Sequence, residues 1–162
     1  MSRVRIVGVG TPFGDDHIGL EIAARIQSTS PGDCEVVMTE QPGVELLELL
    51  AGSDTVILLD AVRSGAGPGT VHDLALEDVP RGCRALSSHG IGVADMLALA
   101  GVLGGRPRGR FIGIEVVPTA ETMDAGVSAE VAAAVPAAVK RVRAWLARWT
   151  DEGGGAVDRG ER

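Results

Sequence analysis

Three polar side chains interrupt apolar stretches of this sequence: Asp16 in "GDDHIG", Asp60 closing "TVILLD", and His89 in the turn of "LSSHGIGVADMLALA". Two carboxylates and one imidazole make a mixed oxygen and nitrogen donor set. Such a set suits a borderline divalent ion such as Zn²⁺, Ni²⁺ or Mn²⁺ better than a calcium cage. Three protein ligands leave open positions for a water, whose pKa a metal lowers toward ~7, or for a polarised carbonyl. No His-x-x-x-His or Cys-x-x-Cys spacing anchors the set, and no Gly-x-Ser-x-Gly elbow or Cys-His pair offers a rival nucleophile.

Each residue also has a plain structural reading. Asp15, directly before an apolar-periodic run, is expected to be a helix N-cap worth about 1 kcal/mol, with Asp16 adding to the favourable dipole interaction. Asp60 would cap a turn, and His89 would hydrogen-bond its own serine-glycine loop. Asp60 is the hardest to explain in this way, because a carboxylate at the end of a fully apolar strand costs several kcal/mol unless a cation or several donors meet it. His17 and His72 are expected at the surface. Cys34 and Cys83 are too isolated for a disulfide framework or a zinc ribbon, and are read as small packing residues.

A nucleotide-binding alternative rests on Gly8, Gly10 and Gly14 in the first strand-to-helix turn, with Glu40 placed as a ribose-binding acid. Against it, the helix opens with two aspartates where a diphosphate would have to sit, and like charges there repel.

These groups need a scaffold, and the pattern alternates strands and helices. Apolar runs at Val4 to Gly10, Cys34 to Glu40, Thr55 to Ala61, Thr70 to Leu76 and Arg110 to Val117 read as five strands, the fourth at an edge. Helical periodicity covers Asp15 to Ser28, Gly43 to Gly52, Gly92 to Gly105 and Ser128 to Trp149, the last with a kink or restart at Pro136. Strands that are apolar on both faces imply a covered sheet. The expected fold is therefore α/β, a three-layer α/β/α arrangement around a twisted, mostly parallel five-stranded sheet. In such sheets ligands sit beyond the carboxyl ends of the strands.

One domain is expected over residues 1–150, followed by a glycine-rich, disordered tail over 151–162. With no Tyr and only two Phe and two Trp, aliphatic side chains must fill the core. A net charge of −7 leaves no basic stripe for nucleic acid or an anionic membrane, and neither a signal peptide nor a membrane span is expected from the pattern, so a cytoplasmic protein is expected.

Taken in order, "VGVG", "DDHIG", "ILLDAVRSGAGPGTV", "SSHGIGVADMLALA" and "IGIEV" resemble the NiFe-hydrogenase maturation endopeptidases over residues 4–150. The resemblance implies a monomer with a twisted five-stranded sheet. It implies an enzyme that removes a C-terminal extension from the hydrogenase large-subunit precursor after nickel insertion. It carries the metal-contacting and catalytic roles onto Asp16, Asp60 and His89, with nickel brought by the precursor and Zn or Cd able to substitute in vitro. The sequence departs from the family at Thr11, where asparagine is usual, and at Thr39 to Gly43, where many members have a glycine-rich turn.

Overall fold

A computed structural model describes residues 4–29, 32, 34–40, 43–79, 93–105, 107–117 and 126–154. The strands are β1 (Val4–Val9), β2 (Glu35–Thr39), β3 (Thr55–Val62), β4 (Val71–Ala75) and β5 (Arg108–Glu115). The helices are α1 (Ile18–Thr29), α2 (Val44–Ala51), α3 (Val93–Val102) and α4 (Ala129–Gly154), with a 3-10 turn at Gly14–His17 leading into α1.

The strands form one sheet in the order β2-β1-β3-β5-β4, parallel except for β4, which pairs antiparallel with β5 at the edge. Ile6, Ile57, Leu59, Ile112 and Ile114 pack beneath α1 and α4, while Val7, Val9, Val56, Leu58 and Phe111 pack beneath α2 and α3. That is the expected three-layer α/β fold. Every residue of β3 is buried, as a central strand covered on both faces requires.

The order also locates the crevice. From β1 the chain moves outward to β2, then returns across β1 to form β3, so the winding reverses between β1 and β3. The gap beyond the carboxyl ends of these two strands is where ligands of open α/β sheets bind. Asp16 follows β1 and Asp60 lies near the end of β3, one on each side of it.

Glycines let α1 approach this point closely. A Cβ on Gly19 would lie 2.2 Å from the Val9 carbonyl oxygen and 2.6 Å from that of Leu59, and one on Gly8 would lie 2.6 Å from the Ala23 Cβ. No larger residue fits without moving the helix off the sheet.

The last helix differs from expectation at two places. α4 runs through Pro136 without a restart; Pro136 and Ala132, whose carbonyl loses its helical partner to the proline, are both exposed residues. The helix also continues to Gly154, four residues into the segment expected to be tail, supported by an Arg148 Nε to Glu152 Oε1 contact of 3.1 Å. Residues 155–162 lie outside the described residues. Among the described residues no helix is long and apolar enough to cross a membrane.

Candidate active site

Val56, Leu58 and Val62 of β3 face α2 and α3, so the alternation of the strand directs Asp60 to that side as well. Only 5% of Asp60 is exposed, and its Oδ1 accepts one hydrogen bond, 2.7 Å from its neighbour Ala61 N. Burial pushes the Asp60 carboxyl well above the ordinary carboxylate range; the Ala61 N–H pulls the other way, and the charge of Asp16 raises it further. The two acids therefore share one electrostatic environment. The charge of Asp16 opposes ionisation of Asp60, and a divalent cation bound there would reverse that opposition.

Asp16 is held by a closed turn. The Thr11 N–H donates to the Asp16 carbonyl (3.2 Å), the Thr11 hydroxyl donates to Asp16 Oδ2 (3.0 Å), and His17 Nδ1 donates to the Thr11 carbonyl (3.2 Å). The departure at Thr11 thus supplies a short hydroxyl that fixes the rotamer of the acid. Thr39, at the other departure, is buried; its hydroxyl donates to Glu45 Oε2 at the start of α2 (2.6 Å).

Asp15 corrects the sequence reading. The residue preceding the 3-10 turn is Phe13, with no side-chain cap, and Asp15 does not cap its own helix. The tight turn points Asp15 inward, where it is 7% exposed and accepts bonds from Ser128 N (2.6 Å), Ser128 Oγ (3.0 Å) and Val117 N (3.4 Å). It joins the turn bearing Asp16 to the residue before α4 and to the chain leaving β5.

His89 lies outside the described residues. The fold nevertheless fixes where the chain after it begins. β5 starts with Arg108 beside Thr55, the first residue of β3, at the amino edge of the sheet. α3 leads back to that edge, so its first residue, Val93, stands toward the carboxyl edge, on the face to which Asp60 points. Three residues separate Val93 from His89. Among the described residues no group of three or more His, Cys, Asp or Glu side chains could hold a metal ion.

The sequence reading missed a second polar centre. Glu115, 2% exposed at the end of β5, accepts bonds on Oε1 from Ser64 N (2.8 Å) and Gly65 N (2.9 Å), and on Oε2 from Ser64 Oγ (2.7 Å) and His72 Nε2 (3.0 Å). Burial alone would raise this carboxyl, but the donors outweigh it and hold Glu115 below its usual range. His72 and His17 are half-buried and bonded rather than simple surface residues. The available signal was an acid inside the apolar run "FIGIEVV", the same anomaly that marked Asp60.

The glycine turn offers little to a diphosphate. Gly10 N already donates to the Thr39 carbonyl (3.3 Å) and Thr11 N to that of Asp16. A phosphate cradle depends on such amides being free. A Cβ on Gly10 would lie 2.3 Å from the Asp16 carbonyl oxygen, so the glycine serves close packing of the turn.

Comparison with known proteins agrees with the fold. The family described as hydrogenase maturation protease matches residues 21–145. The chain belongs to this family. It is similar to the hydrogenase expression/formation protein HupD of Rhodobacter capsulatus, with 29% identity over 153 residues, covering 89% of this chain and 73% of the relative. Among solved structures, the hydrogenase maturating endopeptidase HybD from Escherichia coli aligns with a TM-score of 0.72 and 28% identity, over 90% of this chain and 93% of that one. An endopeptidase from Escherichia coli solved in solution aligns with a TM-score of 0.73 and 30% identity, over 89% of this chain and 91% of that one. The hydrogenase maturation protease is thus an endopeptidase carried on a five-stranded α/β sheet.

Proposed function

We propose that this endopeptidase removes the C-terminal extension of a NiFe-hydrogenase large-subunit precursor, and that Asp16, Asp60 and His89 read the nickel carried by that precursor. The observation that carries this reading is the buried Asp60 carboxylate at the β1/β3 crevice, held against ionisation by burial and by Asp16. A cation delivered with the substrate would be attracted to both acids and would favour the ionised form of Asp60 at the moment of binding. In its absence their desolvation works against the complex.

Metal presence then becomes a condition for productive binding. An empty precursor cannot form the metal-ligand bonds, so the associated energy is available only to a loaded one. His89 ligates as neutral imidazole, which places the acid limb of processing near the unperturbed histidine value of ~6.5. The three protein ligands leave the nickel free to keep ligands of the precursor, and the enzyme needs no resident ion. The protein is expected to work as a monomer in the cytoplasm.

The test compares nickel-loaded and nickel-free precursor, incubated with purified protein under chelation that strips adventitious ions, with loss of the C-terminal fragment followed by mass. Loaded precursor is expected to be cut and empty precursor spared; Zn²⁺ or Cd²⁺ loading reports how far other ions are read. Equal cleavage of both forms would show that the nickel is not what the three residues recognise.

A further inference from the structure

The loop from Arg63 to Thr70 leaves β3 three residues after Asp60 and returns as β4, so it crosses the carboxyl edge of the sheet on the β5 side of the crevice. One residue holds both of its ends. The Glu115 side chain accepts bonds from Ser64 and Gly65 at the outgoing end, while its backbone accepts from Gly69 N (2.8 Å) and donates to the Thr70 carbonyl (2.9 Å) at the returning end. Gly69 adopts φ +86° and passes so close to α4 that a Cβ would lie 2.6 Å from the Glu130 carbonyl oxygen. Two residues along from Glu115, Val117 N reaches Asp15, in the turn that carries Asp16.

The end of β5 therefore braces the supports of both acids. Across the sheet, Asp60 pairs with Gly113 and Gly113 with His72, so these residues lie in one row, with no side chain between Asp60 and His72. His72 reaches along the same face to Glu115.

We propose that Glu115 is a positioning residue for peptide-bond cleavage, fixing the 63–70 loop as the wall against which the substrate chain is laid over Asp60. This rests on the function proposed above. Glu115 reaches the reaction only through the loop, so its loss should act mainly on KM: a wall that moves weakens substrate binding before it alters the reacting groups.

The chemistry of the clamp predicts an unequal pair of variants. In Glu115→Gln the amide oxygen can still accept from Ser64 N and Gly65 N, and the amide nitrogen can donate to the Ser64 hydroxyl and to an unprotonated His72 nitrogen. In Glu115→Ala all four partners are lost. Two readouts apply. Tryptic cleavage after the exposed Arg63, followed by mass, reports loop order without reference to any hydrogenase. Steady-state cleavage of nickel-loaded precursor reports KM and kcat separately.

Glu115→Ala is expected to be cut after Arg63 about tenfold faster than wild type and to raise KM about tenfold or more, with kcat within about threefold; Glu115→Gln should stay within about threefold on every measure. Ser64→Ala combined with His72→Leu, which removes both donors to Oε2 and keeps the core acid, should move in the same direction by a smaller factor, and this holds the test open if the alanine variant fails to fold. Wild-type KM together with unchanged cleavage at Arg63 in a folded Glu115→Ala protein would overturn the proposal. So would a Glu115→Gln variant as impaired as the alanine one. If wild-type protein cuts no hydrogenase precursor, the function proposed above fails instead, and the tryptic readout still tests the clamp.

Discussion

Replacing Asp15 separates two physical roles by magnitude. An aspartate that only capped its own helix would cost about 1 kcal/mol to remove. The structure gives Asp15 three donors on distant segments: Ser128 N at 2.6 Å, Ser128 Oγ at 3.0 Å and Val117 N at 3.4 Å. Hydrogen bonds to a charged group contribute about 1.5–3 kcal/mol each, and the first two have full-strength lengths while the third is long. They share one acceptor and so do not add fully, and Ser128 is only half-buried, so water recovers part of the loss. About 3 kcal/mol is expected for Asp15→Ala. In Asp15→Asn the amide can still accept from Ser128 N and donate to Ser128 Oγ, leaving about 1 kcal/mol lost. Urea denaturation at pH 7 should show both as midpoint shifts at constant slope. Thermal melting should fall by about 6–12 °C for the alanine variant, at ~2–4 °C per kcal/mol for a chain of this size. An alanine cost near 1 kcal/mol, or an asparagine variant as unstable as the alanine one, would refute the cross-chain clamp.

Asp60→Asn and His89→Ala should fold yet lower processing of nickel-loaded precursor at least ~100-fold, as removal of a metal ligand does; wild-type turnover by both variants would reject the assignment. Because burial and Asp16 raise the folded pKa of Asp60, this residue favours the folded state most below its unfolded value of ~3.9, and that contribution is lost as pH rises through the raised value. Metal-free Asp60→Asn should therefore be more stable than wild type at neutral pH, with the advantage shrinking on acidification; denaturant midpoints across pH 4–8 check it, and a constant difference would contradict the burial argument. Glu115 has the opposite sign: its folded pKa is lowered, so its contribution is present above its unfolded value and lost as pH falls through the folded one. Gly10→Ala should cost about 1–3 kcal/mol by pressing on the Asp16 carbonyl, and should lower processing with it; a neutral change by melting would mean that the turn can give way.

Strand identity and sheet class were legible because periodicity and β-branched runs are local signals. The five runs appear as five strands with ends within about two residues, and the weakest of them, Thr70 to Leu76, is indeed an edge strand. Asp60 was legible for an energetic reason, as an acid closing an apolar strand. The role of Asp15 was not, because its partners Ser128 and Val117 are more than a hundred residues away and nothing local distinguishes a cap from a cross-chain acceptor. Glu115 carried the same local anomaly as Asp60 without being weighed, and its meaning also depends on distant donors in the loop after β3. No restart occurs at Pro136 because proline propensity is local, while the continuity of α4 is set by the buried stripe of Val131, Val135, Val139 and Val142 against α1 and the sheet.

Three buried carboxylates meet at one edge of this sheet, and the number of donors on each separates frame from site. Asp15 accepts three hydrogen bonds and Glu115 four; such saturation offsets the desolvation of a charge and makes an acid into a structural brace. Asp60, equally buried, has a single donor among the described residues, the N–H of the next residue in its own strand. Had this position been selected for stability alone, a donor or an apolar residue would lower the cost, since a buried ionisable group without compensation is strongly unfavourable. The two saturated acids instead hold the flanking segments in place, Asp15 through the turn of Asp16 and Glu115 through the loop after β3, so that the crevice cannot collapse to satisfy Asp60 from within. A carboxylate kept short of donors by a rigid surround keeps its affinity for a cation that arrives from outside, which is the condition the proposed proofreading of a nickel-bearing substrate requires.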